Sequence, residues 1–341
     1  MSRGARAGST PLPSAVMTDH RSASRPAPAF PIRMIAIDID GTLVGGDLRL
    51  SARTAAAIRA AAAAGVRVSL ASGRMASSGA VYAHQLGLTD PIIGHQGASV
   101  RMMAARRVRI DPHHPPFRAP VGRLLHHTPL AAAVAREAIG WCLDHGLDPH
   151  VNALERIVVW RGDVRFDDYS GYLGPAARIV PDLVKAIRRP VSKVLAVGEP
   201  PRPMELIEQA RRHFAGRADV TVSHPRFLEF VAPGVSKGRA VAWLAHHAGV
   251  PPGQVLTIGD SLNDLEMIVA VGHGAAVETA PEMVRAAARY VAPAADADGV
   301  AVLINALVLP PPEVAARNAV ELARNVAEHT YSAAAAAGSG R

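Results

Sequence analysis

The chain has 341 residues, 49% of them hydrophobic and 19% charged, which is enough for roughly two domains with a sizeable core and excludes global disorder. No apolar run reaches the ~18 residues that a membrane-spanning helix needs. The lone cysteine, Cys142, excludes an internal disulfide and suits a reducing, cytoplasmic compartment. The formal net charge is +8. No basic helix is interleaved with aromatics, and at 4% aromatic the chain has few platforms for stacking bases. That argues against a nucleic-acid partner and for attraction of an anionic substrate.

Residues 1–30 are rich in Arg, Ser, Ala and Pro and lack the apolar stretch of a secretory signal. They read as a disordered basic tail, or as sequence upstream of a later start at Met17 or Met34. The apolar run Met34–Ile37 then breaks directly into Asp38-Ile39-Asp40-Gly41-Thr42. A short run that is apolar at every position predicts a strand buried on both faces. Burying an unpaired charge is costly, so the two carboxylates belong at the strand's carboxyl end, where open α/β sheets bind ligands. A calcium loop would need further oxygen ligands and a closing Glu; here Leu43 and Val44 follow.

Next come a helix opened by Ser51 and closed by Gly65, a strand at 66–71 ending in Ser72-Gly73-Arg74, a helix to about Leu86 and a strand at 91–94. This alternation predicts an α/β fold with a doubly wound parallel sheet. From about Arg101 the pattern changes. A strand is expected at 107–110, then a Pro- and His-rich stretch, a helix from Pro129 to His145, and short strands at 149–151 and 157–160. A polar segment at 162–174 follows, in which Asp167, Asp168 and Tyr169 read either as a specificity loop or as a solvated turn. Strands at 191–197 and 220–223 flank a helix at 203–214. This is an α+β insert, bounded at 123–224. The first pattern then returns with a strand at 227–231, a helix from Ser236 to His247, a strand at 254–259 ending in Asp260, a helix at 262–271, a strand at 274–277 and a helix from Pro281. The core domain is thus expected at 31–122 and 225–309, and 310–341 as a proline break, an amphipathic helix and a flexible tail.

Three further constellations sit at strand ends. Ser72-Gly73-Arg74 offers a hydroxyl and free N–H groups before a helix, an anion site. Lys237 lies in the first turn of a helix, the wrong end for a cation by the helix dipole, so it invites a functional explanation. Gly259-Asp260-Ser261-Leu262-Asn263-Asp264 adds two carboxylates and an amide. Beside Asp38 and Asp40 these acids would repel unless a divalent cation lay among them, and hard carboxylate ligands at an open phosphate site imply Mg2+. The His-His pairs at 113/114, 126/127 and 246/247 lack partner spacing for zinc, and Trp141 and Trp243 read as core.

In this order the four motifs resemble the signatures of the haloacid dehalogenase-like superfamily, from about Arg33 to Asn305. The likeness is closest to the Cof-like subfamily, through Gly-Val-Ser-Lys-Gly, Gly-Asp-Ser-Leu-Asn-Asp-Leu-Glu-Met, a following Ala-Pro-Glu and a late Asp-Gly-Val-Ala. Only 29 residues separate Thr42 from Ser72, whereas 162 separate Arg74 from Lys237, so a whole domain is inserted there, in the position of a type IIB cap. The resemblance implies a Rossmann-like core and a Mg2+-dependent phosphatase acting on a small phosphorylated metabolite, a sugar phosphate or a phosphorylated cofactor. It implies Asp38 as nucleophile and Asp40 as acid–base. Thr42, Ser72, Gly73, Lys237 and Asn263 would hold the phosphate. Asp38, the Asp40 main-chain carbonyl, Asp260 and, adjacent to them, Asp264 would hold the metal. The sequence departs from the subfamily at Gln96-Gly97, where Asn-Gly is common, and at Glu278-Thr279-Ala280, where Gly-Asn-Ala is common. A phosphomutase of the same superfamily and a catalytically silent binding protein are the alternatives, and oligomeric state is left open.

Overall fold

The computed structural model describes residues 26–106, 108–112, 115–160 and 177–323. Most of the expected tail, the polar segment with Asp167, Asp168 and Tyr169, and the end of the chain past 323 lie outside the described residues.

Among the described residues, fourteen strands form two sheets. They are β1 Met34–Asp38, β2 Arg67–Ala71, β3 Ile92–Gly94, β4 Ser99–Met103, β5 Val121–His127, β6 Asp148–Ala153, β7 Arg156–Trp160, β8 Ala177–Val180, β9 Lys193–Val197, β10 Asp219–His224, β11 Phe227–Val231, β12 Val255–Gly259, β13 His273–Val277 and β14 Tyr290–Ala292. The first sheet runs β14-β13-β12-β1-β2-β3-β4-β5. It is parallel from β14 to β3 and antiparallel at β4 and β5. The apolar run at Met34–Asp38 is buried at every position because helices cover both faces. Ile35 and Ile37 pack with Ile58, Leu303 and Ile304 on one side. Met34 and Ala36 pack with Val241, Leu244 and Met267 on the other. The parallel α/β expectation from periodicity is therefore the architecture found.

The second sheet runs β10-β11-β9-β6-β7-β8 and is antiparallel except for the pair β7–β8. Val194, Ala196, Leu228 and Phe230 project from one face onto Ile139 and Trp141 of the helix Ala132–Asp144 and onto Phe214 at the end of the helix Arg202–His213. By the two-residue period of a strand, Lys193, Leu195, Phe227 and Glu229 project from the opposite face.

Four expectations are corrected. The strand at 227–231 does not return the chain to the first sheet; it pairs antiparallel with β10 and β9. Only Pro225 and Arg226 separate it from β10, and a gap that short permits a hairpin but no parallel crossover. At the other crossing, β5 runs from 121 to 127 and pairs with β4 of the first sheet, across the boundary expected at 123. Residues 108–110 are not a strand. Finally, residues 27–30 do not behave as tail: the Ala29 N–H donates to the Gly253 carbonyl at 2.8 Å and the Phe30 ring packs edge-on against His273. The C-terminal helix at 312–323 docks through Ala319 onto the first core, with Asn318 donating to the Ala306 carbonyl at 2.8 Å.

Candidate active site

Three parallel strands that end side by side, β1, β2 and β12, deliver the site. Asp38 ends β1 and is 5% exposed. The chain turns at once: the N–H groups of Leu43 and Val44 fold back to the Ile39 carbonyl, and the Gly41 N–H donates to the Val44 carbonyl. Gly41 has φ +84°, and a Cβ there would lie 2.4 Å from Asp260 Oδ2. Only glycine serves both the turn and the close approach of the second acidic loop.

Lys237 explains the misplaced cation. Ser236 caps its helix by accepting from the Arg239 N–H, and the Lys237 side chain runs back into the sheet's end, where only 2% of it is exposed. Its ammonium donates to Asp38 Oδ1 and to Asp264 Oδ1, the latter at 2.7 Å. Burial opposes its charge, yet the Asp264 and Asp38 carboxylates outweigh burial and hold it above the usual lysine range. Burial pushes Asp38 well above the usual carboxylate range. The Asp264 charge adds to that, Lys237 opposes it, and Asp260 and Asp40 add further. Asp260 is raised by burial first and Asp264 second.

The acidic loop is tied together by its own side chain. Asp264 Oδ2 accepts from the N–H groups of Asp260 and Ser261 at 3.1 and 3.0 Å, so this carboxylate braces its own turn. Asp38, Asp260 and Asp264 each offer an oxygen within 4.8 Å of the others. An all-oxygen set with more negative charge than one lysine balances fits a hard divalent cation. The Asp40 carboxylate stands apart from this set. It is 44% exposed and held side-on by one edge of the Arg74 guanidinium, Nε donating to Oδ2 at 2.8 Å and Nη2 to Oδ1.

Asp38, Asp40, Ser72, Gly73, Lys237 and Asn263 line one cavity of about 130 Å³. Thr42 does not line it. Its hydroxyl, buried, donates to Asp260 Oδ1 at 3.0 Å, which couples the loop after Asp38 to the acidic loop. Asn263 turns its amide to Gln96. The opposite wall comes from the second sheet: Lys193, Leu195, Ser223, His224, Phe227 and Glu229. These and the Arg74–Asp40 pair are what sequence reading missed. A signal existed in Phe-Leu-Glu-Phe-Val, where one acid interrupts an otherwise apolar strand.

A family model described as haloacid dehalogenase-like hydrolase matches residues 35–114 and 118–304. The chain is 28% identical over 245 residues to the HMP-PP phosphatase of Serratia proteamaculans, covering 71% of this chain and 82% of that protein. It is 28% identical over 268 residues to the phosphoglycolate phosphatase of Methanoculleus marisnigri, covering 79% and 93%. Among solved structures, a haloacid dehalogenase-like hydrolase from Bacteroides thetaiotaomicron superposes with a TM-score of 0.67 at 25% identity, over 81% of this chain and 99% of that one.

Proposed function

This chain belongs to the haloacid dehalogenase-like hydrolases, in their Cof-like group, and on that premise we propose that it is a Mg2+-dependent phosphatase that hydrolyses a small phosphorylated metabolite through an aspartyl-phosphate. The observation that carries the reading is the pairing of two unlike carboxylates at one strand end: Asp38 buried and gripped by Lys237, Asp40 half-exposed and gripped by Arg74. Two carboxylates in unlike environments can take opposite roles.

Asp38 is the nucleophile. A carboxylate oxygen of Asp38 forms a bond to phosphorus as the phosphorus–oxygen ester bond breaks. Lys237 fixes the attacking carboxylate and supplies positive charge where the phosphoryl group gathers. Asp40 gives its proton to the departing alkoxide, then takes one from the water that cleaves the acyl phosphate and frees Asp38. Arg74 sets the direction in which the Asp40 carboxyl faces the cavity. Ser72 and Gly73 line the phosphoryl pocket with a hydroxyl and main chain, and Asn263 with an amide. Thr42 serves through Asp260. Asp38, Asp260 and the Asp40 main-chain carbonyl, with Asp264 adjacent, would hold Mg2+, which when bound would neutralise phosphate charge so that an anion can approach an anion. The small cavity roofed by the second sheet suits a compact leaving group. In this reading the inserted cap runs from after β5 to the end of β11, later at both ends than the expected 123–224.

The test is hydrolysis of a generic aryl phosphate with Mg2+ and with chelator, for wild type and Asp38→Asn. Mg2+-dependent release of phosphate that is lost in the variant is expected. Equal rates in the two proteins would remove Asp38 as nucleophile.

A further inference from the structure

Two opposite charges lie buried in the second sheet, on the face that looks into the cavity. Lys193 on β9 and Glu229 on β11 are 4% and 1% exposed and pair directly. A buried ion pair is poor evidence of stability, because apolar residues of similar volume do as well. What the pair touches beyond itself is more telling. The Lys193 ammonium also donates to the Gly73 carbonyl at 2.8 Å. Glu229 Oε1 accepts from Ser223 and from Gln96 Nε2 at 2.8 Å. Gln96 Oε1 in turn accepts from Asn263 Nδ2 at 2.8 Å. The Gln96 amide lies over Gly73, where a Cβ would meet its Nε2 at 2.5 Å.

The direction of this chain of bonds is not arbitrary. An ionised carboxylate only accepts, so Gln96 must turn its NH2 group to Glu229. That leaves its oxygen for Asn263, which must therefore present its own NH2 group. One of the two N–H bonds goes to Gln96 and the other remains for the cavity that Asn263 lines. Were the Gln96 amide reversed, its oxygen would face the Glu229 carboxylate and its NH2 would select the Asn263 oxygen.

We infer that Lys193 and Glu229 are positioning residues for phosphoryl recognition: Lys193 holds the Gly73 main chain, and Glu229, through Gln96, fixes the Asn263 amide with its N–H toward the phosphate. The inference rests on the phosphatase reading above. It makes the second sheet a working part of the phosphate pocket, so that the pocket is complete only when that sheet sits over the first.

The experiment measures inorganic phosphate binding by calorimetry, with aryl phosphate kinetics alongside, for wild type, Glu229→Gln, Gln96→Leu and the double variant. One charge-assisted hydrogen bond is at stake, so each single variant should bind phosphate roughly tenfold to a hundredfold more weakly. Since both act through one relay, the double variant should lose no more than the worse single. Gln96→Leu leaves the Lys193–Glu229 pair intact, so it decides the matter if Glu229→Gln fails to fold. Wild-type affinity in Gln96→Leu, or fully additive losses in the double variant, would overturn the relay. Wild type that neither binds phosphate nor hydrolyses any phosphate ester would instead overturn the phosphatase reading.

Discussion

Gly97→Ala should damage the site although Gly97 itself does not line it. Gly97 follows β3 at φ +99°, and a Cβ there would lie 2.1 Å from the Ser236 carbonyl oxygen and 3.1 Å from the Lys237 nitrogen. Ordinary contact begins at 3.4 Å, so the start of the Lys237 helix must recede by about 1.3 Å. Two costs follow. An alanine held at positive φ costs about 1–2 kcal/mol. A catalytic group displaced by about 1 Å can cost 10²-fold in rate, and the displaced group here is the ammonium that grips Asp38. Gly65→Ala separates the two costs, because Gly65 has φ +86° with nothing within 4 Å of its built Cβ. Both variants should lose a few degrees of Tm, at roughly 2–4 °C per kcal/mol for a chain of this order of size. Only Gly97→Ala should lose about 10²-fold in kcat/KM for aryl phosphate. Activity within about threefold of wild type in Gly97→Ala, or an equal loss in Gly65→Ala, would refute the steric reasoning.

Other outcomes follow from the same geometry. His273 is buried, and burial lowers it to about pH 4; its unfolded value is about 6.5. The unfolded chain then binds the extra proton first, so stability is full above about pH 6.5 and falls by on the order of 3 kcal/mol as pH drops to about 4. Denaturant unfolding of His273→Phe should show a flatter pH dependence across that window; an unchanged slope would remove His273 as its source. Mg2+ at a hundredfold over its Kd should stabilise wild type by about 2.7 kcal/mol, read as a rise in Tm over chelator. Asp260→Asn should abolish the rise, and an undiminished rise would place the metal elsewhere. Arg74→Lys should lower kcat about tenfold, since a lysine cannot grip both Asp40 oxygens in a planar fork; kcat equal to wild type would deny Arg74 any part in setting Asp40.

Much of this molecule was legible where a local rule was broken. The acids of Asp38 and Asp40 at the end of a buried run, and a lysine against the dipole at 237, both pointed to the place where the strands end. Side-chain partners were less legible. Thr42 belongs to a motif that suggests phosphate, yet its hydroxyl is spent on Asp260, a residue 218 positions away whose approach no spacing rule reports. The sheet to which β11 belongs is a question of partner, and periodicity speaks only of faces. The three residues between the expected strands 220–223 and 227–231 did carry that information through the limit on short connections. Residues 27–30 dock through a main-chain hydrogen bond to Gly253, a bond between the Ala29 carbonyl and His273 Nε2, and a ring contact, and such contacts leave no periodic trace in a Pro- and Ala-rich stretch.

The neighbours of β1 set the order in which the molecule can be completed. Met34 pairs with Arg67 on one side and with Val255 on the other, so one flank of the strand is closed early in the chain and the other only after every strand of the second sheet has been made. Contacts of such long sequence separation pay their closure entropy before they return any energy, and chains dominated by them fold slowly. Asp38 waits on that open flank. Its lysine lies 199 residues downstream and the acidic loop lies farther still. Asp38 thus leaves the ribosome long before its counter-charge, and its burial beside Lys237 needs both ends of that span.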